Sequence, residues 1–376
     1  MGENSRRDFL LAMAALCVPE IDGSRPLSSQ RSAERMKEPQ QRDQHSELNR
    51  VLGVMPSRPR PTFVTLESIK LETGWRYKIE FPAEPPDPIF QTPPDLIRAY
   101  LFVPDHVNSE KLPAVLAIHQ DGPQSHIGKS EPAGLAGDKN LFYGRELFEK
   151  GYVVLCPDRF GHAERRWVTP NDITSIDPER DLGLLNHRCG QLLLSGRNFI
   201  GKEVYDLTVA TDLLCSLAYV DQTRIAAIGH SAGGNSMVYF MYADPRVRTG
   251  ISSCGLFSMV NFFNEKAPKR RIGGLAMPNL ALVGDSDDFL AFIAPRPILL
   301  TRGLWEWGQD DLADKTFSEA HVAETRKMEA HARERYAKLG ASSDLKVIYF
   351  DEDGGNHAFP PHVRAQTYEW LGQRLS

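Results

Sequence analysis

The sequence lacks several features that would assign it to a specialised class of protein. It has no uninterrupted run of eighteen apolar residues, so no membrane-spanning helix is predicted in the mature protein. Its formal net charge is -5, and no basic stripe is present, so nucleic acid is not an expected partner. The content of 41% hydrophobic and 25% charged residues is that of an ordinary globular protein with ample material for a core.

Cysteine is scarce, and the few cysteines follow no pattern. No C-x-x-C pair occurs, so neither a disulfide framework nor a cysteine-rich metal site is predicted from the five positions, Cys17, Cys156, Cys189, Cys215 and Cys254. Asp285, Asp287 and Asp288 are interpreted as a surface turn, since they lack the glycine and the distal glutamate of a calcium loop. We therefore predict no cofactor and no metal, and no pattern predicts an oligomeric state.

The N-terminal region has the composition of a targeting segment followed by a linker. Arg6 and Arg7 precede a short apolar run, so residues 1–18 resemble a bacterial Tat export signal, although no clear A-x-A cleavage site follows. Residues 19–49 are polar with almost no aromatic content, which predicts a linker. We expect an exported protein, periplasmic or secreted, with a single catalytic domain over 50–376.

The rest of the chain alternates short apolar runs with helical patterns. Runs rich in β-formers occur at 114–119, 152–158, 225–230, 250–256, 297–303 and 345–351. This alternation predicts an α/β fold with a mostly parallel sheet and helices on both faces, led in by an antiparallel strand at 97–103. The long connections 159–200 and 257–294 follow strands, so we expect lid-like insertions that line a pocket there.

One pentapeptide has the local context of a nucleophile elbow. Gly229-His230-Ser231-Ala232-Gly233 follows a predicted strand and precedes a predicted helix. Such a turn forces the serine into a strained conformation, and a β-carbon at either flanking glycine would collide with the strand or the helix. We therefore predict that Ser231 is a catalytic nucleophile.

A serine nucleophile needs a histidine base and a carboxylate that orients it. His357 follows the last predicted strand in a glycine-bearing loop and is the expected base, whereas His362 is a weaker candidate. The carboxylate is expected just after the penultimate strand, because nucleophile, acid and histidine follow in that order in this topology. Glu306 is the first choice, with Asp310 and then Asp311 as alternatives.

An ester carbonyl under attack also needs two backbone donors for its developing negative charge. One is predicted to be the N–H of Ala232, the residue after the nucleophile. The other is expected from the loop after the strand 114–118, where the N–H of Gln120 is favoured and that of Asp121 is next. His119 in the same loop is interpreted as a structural residue in preference to a ligand.

These motifs together resemble the α/β-hydrolase superfamily from about residue 95 to the C-terminus. Residues 151–158 are similar to its "GYVVLxPD" strand, and 303–306 are similar to a "GLMD" element that carries the triad acid in the dienelactone-hydrolase-like and acetyl xylan esterase-like branch. The resemblance supports Glu306, although glutamate replaces aspartate here. Dienelactone hydrolases proper use a cysteine nucleophile, so Ser231 argues against that activity.

The function expected from these residues is an exported serine carboxylesterase that works through an acyl-enzyme, with a small-molecule or carbohydrate ester as substrate. Trp167, Trp305 and Trp307 lie in or beside predicted pocket loops, where aromatic faces either pack sugars or simply fill space. A serine peptidase or amidase of the same fold is the first alternative. A catalytically silent binding protein is the second.

Three arginines after the 152–158 strand have two interpretations. Arg159, Arg165 and Arg166 form either a site for a carboxylate-bearing substrate such as a uronate or, as the preferred interpretation, a solvated basic patch.

Overall fold

A single sheet organises the part of the chain that this computed structural model describes, which comprises residues 39–105, 111–121, 126–167, 177–263, 276–306 and 315–376. Its strands are β1 Val64–Leu71, β2 Gly74–Glu84, β3 Asp95–Pro104, β4 Leu112–Ile118, β5 Val153–Pro157, β6 Val220–His230, β7 Val247–Ser253, β8 Ile298–Gly303 and β9 Leu345–Phe350. They lie side by side in the order β1-β2-β3-β5-β4-β6-β7-β8-β9.

The pairing of neighbouring strands changes once across the sheet, from antiparallel to parallel. β1, β2 and β3 pair antiparallel, and β3 is also antiparallel to β5. From β5 through β4 and β6 to β9, every neighbouring pair is parallel. The predicted mostly parallel α/β fold is therefore confirmed, and the strand expected at 97–103 is the antiparallel β3.

Helices cover both faces of the sheet, because alternate residues of the buried strands point to opposite sides. In β4, Ala114 and Leu116 belong to one apolar cluster, whereas Val115 and Ala117 belong to the other. The helices are α1 Pro39–Val51, α2 Tyr143–Glu149, α3 Pro178–Leu194, α4 Phe199–Ser216, α5 Ala232–Ala243, α6 Met259–Phe262, α7 Leu280–Val283, α8 Ser286–Ile293, α9 Lys315–Lys338 and α10 Pro361–Leu375.

The two clusters divide the helices between the faces. Side chains of α2 and α10 pack in the same cluster as Val115. Side chains of α1, α3, α4, α5, α8 and α9 pack in the cluster of Ala114. None of the helices in the described ranges is both long and apolar enough to cross a membrane.

The folded body begins slightly earlier than the sequence suggests. It comprises Gln44–Ser376, and α1 continues into it from Pro39. Leu48 is fully buried and Val51 is nearly so, because both pack into the larger apolar cluster. The stretch around Leu48 is thus part of the body and not of a polar linker, while the Tat-like segment lies outside the described residues.

Two features of the architecture were not predicted. The hairpin β1–β2 adds two strands at one edge of the sheet, and β1 is exposed at nearly every position. The two long connections carry helices: α3 lies in the first, and α6, α7 and α8 lie in the second.

The parallel strands place the candidate site residues at one edge of the sheet. β4, β6, β8 and β9 run in the same direction, so their carboxyl ends meet there. Gln120 follows β4, Ser231 follows β6, Glu306 follows β8 and His357 follows β9. Residues far apart in sequence thus come together because each one follows a parallel strand.

Candidate active site

Ser231 occupies a tight turn between β6 and α5. Its backbone adopts φ 54° and ψ -126°, a combination that is unfavourable for a residue with a β-carbon. The turn is held by a hydrogen bond from the Ser231 N–H to the carbonyl of Ser253 at 2.8 Å. The surrounding structure therefore maintains the strained conformation that a nucleophile elbow requires.

The two glycines of the pentapeptide are needed for close contact. A β-carbon on Gly229 would lie 2.3 Å from the carbonyl oxygen of Gly233. A β-carbon on Gly233 would lie 2.2 Å from the carbonyl oxygen of Ile118 and 2.5 Å from that of His119. These collisions with the strand and the helix are the ones that the sequence pattern predicts.

His357 lies in the loop between β9 and α10 and contacts both Ser231 and Glu306. Its Nε2 is 2.6 Å from Ser231 Oγ, and its Nδ1 is 2.7 Å from Glu306 Oε1. In the neutral tautomer with the proton on Nδ1, the ring donates to the carboxylate and accepts from the hydroxyl. The structure thus brings together the three residues that the sequence nominates.

Glu306 reaches His357 because the ends of β8 and β9 are joined by backbone contacts. The N–H of Leu304 donates to the carbonyl of Phe350 at 2.9 Å, and that of Trp305 donates to Gly355 at 2.7 Å. A β-carbon on Gly303 would lie 2.1 Å from the Gly355 carbonyl oxygen, so only glycine allows this approach. The glycine of the "GLMD"-like element therefore has a structural role.

The Glu306 carboxylate is fully buried and yet held in its charged form. Burial alone would raise its pKa. The Arg302 guanidinium, the hydrogen bond from His357 and the nearby rings of His357 and His321 outweigh burial and hold that pKa well below its usual range. Arg302 donates from Nη1 to Glu306 Oε2 at 2.5 Å, so each carboxylate oxygen has a partner.

The two predicted oxyanion donors are located on adjacent segments. Ala232 is the first residue of α5, and the first N–H groups of a helix have no partner within the helix. Gln120 follows β4, whose last residue Ile118 is in close contact with Gly233 of the same helix. The side-chain amide of Gln120 donates to Glu131, which anchors the loop that carries the donor.

His119 has the structural role that the sequence suggests. Its Nδ1 is 2.7 Å from the carbonyl oxygen of Gln120, and its Nε2 accepts the N–H of Arg159 at 2.9 Å. The ring is fully buried, and burial lowers the pKa of His119 well below its usual value, so the ring is neutral. It joins the loop after β4 to the loop after β5.

The three arginines after β5 are neither a solvated patch nor a free carboxylate site, so both interpretations are wrong. All three are buried, and each forms an ion pair within the protein. The pairs are Arg159 with Asp121 and Glu203, Arg165 with Asp95 and Asp206, and Arg166 with Asp181. Each guanidinium is therefore balanced by a carboxylate of the protein itself.

The remaining nominated residues lie apart from Ser231 or outside the described ranges. His362 is exposed in the first turn of α10, 3.3 Å from Glu352. The alternative acids and the third tryptophan are outside the described residues, namely Asp310, Asp311 and Trp307. The predicted surface turn is instead the start of α8, where Asp285 and Asp288 form a capping box.

Two groups of described side chains have the spacing of a metal site. Cys254 lies with Glu306 and His357, but burial raises the pKa of its thiol well above the usual value, and a metal prefers the thiolate. The second group is Glu84, Asp95 and Asp206, and each of its carboxylates pairs with the ammonium group of Lys202. The protein's own cations thus already balance this acidic cluster.

Two contacts of the site were not foreseen. Arg302 lies on β8 and binds Glu306, and the signal available in the sequence was an arginine at the end of an otherwise apolar strand. The ring of His230, inside the pentapeptide, lies 4.9 Å from that of His357. Burial lowers the pKa of His230, so it is a neutral ring packed against His357.

Comparisons with known proteins agree with this architecture. The model of the alpha/beta hydrolase family matches residues 134–370. A protein of Bacillus subtilis (strain 168) named "Putative hydrolase YtaP" is 27% identical over 263 residues, which are 70% of this chain and 80% of that protein. Because the family match extends over more than half of its length, the chain belongs to the alpha/beta hydrolase family.

Solved structures show the same fold at lower identity. A "putative acetyl xylan esterase" from Bacteroides fragilis NCTC 9343 superposes with a TM-score of 0.62 at 18% identity, covering 83% of this chain and 74% of that one. A glucuronoyl esterase from Solibacter usitatus superposes with a TM-score of 0.56 at 13% identity, covering 97% of this chain and all of that one. These superpositions show that the chain shares the α/β-hydrolase fold of both structures.

Proposed function

We propose that this protein is a serine carboxylesterase whose nucleophile is Ser231. The observation that carries the proposal is the chain of hydrogen bonds from Ser231 through His357 to the buried Glu306, at 2.6 and 2.7 Å. A serine hydroxyl is a weak nucleophile unless an adjacent base takes its proton. The arrangement supplies that base, together with a carboxylate that orients it.

The reaction follows from the positions of these three side chains. Ser231 Oγ attacks the ester carbonyl carbon while its proton passes to His357 Nε2. The bond to the alcohol oxygen then breaks as His357 returns the proton to that oxygen, which leaves an acyl-enzyme. Water adds to the acyl-enzyme by the same route, and the acid departs as Ser231 regains its proton.

The negative charge that develops on the carbonyl oxygen is assigned to two backbone donors. The choice of the N–H groups of Ala232 and Gln120 is supported by the close approach of Gly233, next to Ala232, to the end of β4, which precedes Gln120. Loss of one such donor costs about 3 to 4 kcal/mol in the transition state. His357 becomes charged in the same step, and the ionised Glu306 stabilises that charge.

The substrate class we propose is an acylated carbohydrate. The structurally similar proteins named above are an acetyl xylan esterase and a glucuronoyl esterase by name. Trp305 is 38% exposed, and its backbone N–H donates a hydrogen bond to the carbonyl of Gly355 in the loop that carries His357. Trp167 packs against Phe160 and under the Arg188 guanidinium, so Trp305 is the aromatic face that we propose for packing against a sugar ring.

Hydrolysis of p-nitrophenyl acetate by the purified protein tests the proposed nucleophile. We expect a burst of p-nitrophenol, and a loss of about a million-fold in kcat for Ser231→Ala. Ser68→Ala, at an exposed position of β1, is the matched control and should retain full activity. Undiminished turnover by Ser231→Ala would refute the proposal.

A substrate panel tests the proposed class and the alternative functions separately. It contains an acetylated xylo-oligosaccharide, a glucuronate methyl ester, p-nitrophenyl butyrate and a peptide p-nitroanilide. Faster cleavage of a carbohydrate ester than of p-nitrophenyl butyrate supports the proposed substrate class. Faster cleavage of the butyrate would contradict that class but not the proposed esterase activity. Preference for the anilide would assign a peptidase, and no cleavage of any substrate would favour a silent binding protein.

We further propose that the enzyme acts outside the cytoplasm. The proposal is supported by the twin arginine, Arg6 and Arg7, ahead of a short apolar run. A polysaccharide substrate would be found there, so the proposed export and the proposed substrate class agree.

A further inference from the structure

The end of β8 presents a buried arginine that the catalytic steps do not use. Arg302 is 2% exposed, and its guanidinium is fixed by contacts on three elements. Nη1 donates to Glu306 Oε2 at 2.5 Å and lies 3.1 Å from His321 Nε2 on α9. Nη2 donates to the carbonyl of Leu256, in the segment after β7.

These contacts leave the guanidinium and the carboxylate in one arrangement. Glu306 Oε2 is occupied by Arg302, so Oε1 is the oxygen that receives His357 Nδ1. A glutamate side chain has three rotatable bonds, so its carboxylate would otherwise take several positions. We propose that Arg302 is a positioning residue of the proposed esterase, which holds the Glu306 carboxylate with its Oε1 directed at His357.

The proposal explains how the acid functions without solvent. Glu306 is fully buried, and removing an isolated carboxylate from water favours its protonated form. A protonated Glu306 would donate to His357 Nδ1, so the proton of that ring would move to Nε2. The ring would then be unable to accept a proton from Ser231. A fixed cation at 2.5 Å opposes this failure.

The charge also bears on how activity depends on pH. His357 must be neutral to accept a proton from Ser231, so protonation in acid stops the reaction. A positive charge beside His357 and Glu306 disfavours an additional proton on either residue. Removing that charge should therefore move the acidic limb of the activity profile to higher pH.

Other titratable and charged groups face the same pair, so the test must separate them from Arg302. These groups lie on the elements packed around Arg302, Glu306 and His357. They are His321 and Glu329 on α9, Cys254 after β7 and His230 before Ser231. His321 is the most relevant, because its ring contacts the same guanidinium nitrogen as Glu306.

The experiment compares Arg302→Gln, which retains a hydrogen-bond donor but no charge, with Arg302→Lys, which retains the charge. The dependence of kcat/KM on pH is measured with p-nitrophenyl acetate. We expect the acidic limb of Arg302→Gln to move upward by about one pH unit, with a lower kcat and little change in KM. Arg302→Lys should keep the limb near its wild-type position and recover part of kcat.

Controls separate this effect from a loss of folding or a diffuse charge effect. Arg326→Gln removes an exposed arginine of α9 and should leave the profile unchanged. Repeating the pair of variants in a His321→Gln background removes the titratable ring that contacts Arg302. If Arg302→Gln does not fold, the activity of Arg302→Lys tests the proposal instead. A folded lysine variant that is as inactive as Glu306→Gln would overturn it.

An unmoved acidic limb in folded Arg302→Gln would also overturn it, and a shift that vanishes in the His321→Gln background would assign the effect to His321. These outcomes can be distinguished from the case in which the protein is not a serine esterase at all. In that case the wild-type protein would show no ester hydrolysis, or Ser231→Ala would remain active.

Discussion

Glu306 Oε1 lies 2.7 Å from His357 Nδ1, although 51 residues separate the two in sequence. The contact depends on β8 and β9 being neighbours that run in parallel, since each residue lies in the loop after one of them. It leaves the other nitrogen of His357 directed at Ser231. The pair thus connects the sheet topology directly to the proposed chemistry.

The first prediction concerns the identity of the acid. Glu306→Gln retains the size of the side chain but donates where Glu306 accepts, so His357 should adopt the wrong tautomer. We expect kcat with p-nitrophenyl acetate to fall by about 10³ to 10⁴-fold with little change in KM. Asp310→Ala and Asp311→Ala are the comparison variants and should stay near wild type; a larger loss in either one would transfer the role to it.

The second prediction concerns the glycines of the elbow. Gly233→Ala places a β-carbon 2.2 Å from the Ile118 carbonyl oxygen, so β4 and α5 must move apart. We expect a loss of about 3 kcal/mol in the free energy of unfolding, measured with urea, together with lower activity. Gly190→Ala on α3 is the matched control, because its β-carbon meets nothing within 4 Å.

In the control, alanine replaces glycine within a helix, so Gly190→Ala should be neutral or stabilise the protein by up to about 1 kcal/mol. Equal destabilisation by Gly190→Ala and Gly233→Ala would show that the elbow has no special packing requirement.

The third prediction concerns the buried arginine that links the loop after β4 to α4. Arg159 pairs with Glu203 at 2.7 Å and also binds Asp121, next to the proposed donor Gln120. Arg159→Met would leave Glu203 buried without its cation, which should cost about 3 to 5 kcal/mol of unfolding free energy. The loop would also lose a constraint, so kcat should fall.

A second variant separates charge from packing at this position. Arg159→Met combined with Glu203→Gln removes both charges and should recover much of the stability, because no uncompensated charge remains buried. A double variant as unstable as Arg159→Met alone would show that packing of the guanidinium dominates.

Much of the proposed site could be predicted because it follows local rules. The elbow is specified by five consecutive residues, and the positions of Glu306 and His357 follow from the order of strands along the chain. Those rules need only the identity of a strand and the residue after it. The mostly parallel sheet was predictable for the same reason, since several of its strands contain apolar runs that alternate along the chain with helical patterns.

The features that escaped prediction depend on contacts between distant elements. Arg159 and Arg302 have the appearance of surface charges in the sequence, and only the fold shows that each is buried against a carboxylate. The hairpin β1–β2 was not predicted, although β2 alternates apolar and polar residues, and its partner β1 is exposed at nearly every position. Burial of charge and the pairing of an edge strand are tertiary properties.

The fourth prediction concerns the proposed export signal. Replacing Arg6 and Arg7 by lysines preserves charge but removes the twin-arginine pattern. We expect the variant to accumulate in the cytoplasm of a bacterial host, whereas the unchanged protein appears in the periplasm or the medium, as followed by immunoblotting of cell fractions. Changing Arg31 and Arg35 to lysines is the control, since these lie outside the proposed signal; equal export of all three proteins would reject the twin-arginine route.

The last prediction concerns stability in acid. Burial would raise the pKa of Glu84, but the hydrogen bond from Arg197 and the charges of Lys202 and Arg197 outweigh it and lower that pKa to about 2. Since the folded pKa lies below the unfolded value of about 4.5, Glu84 stabilises the protein above that pH, and the contribution is lost as the pH falls toward 2. Glu84→Gln should therefore be less stable than wild type at pH 6, and the difference in unfolding free energy should shrink between pH 4.5 and pH 3. Arg197→Gln should reduce the loss of unfolding free energy between pH 4.5 and pH 3 by less than Glu84→Gln does, because Lys202 remains beside the carboxylate. A constant difference across the window would show that Glu84 binds protons equally in both states.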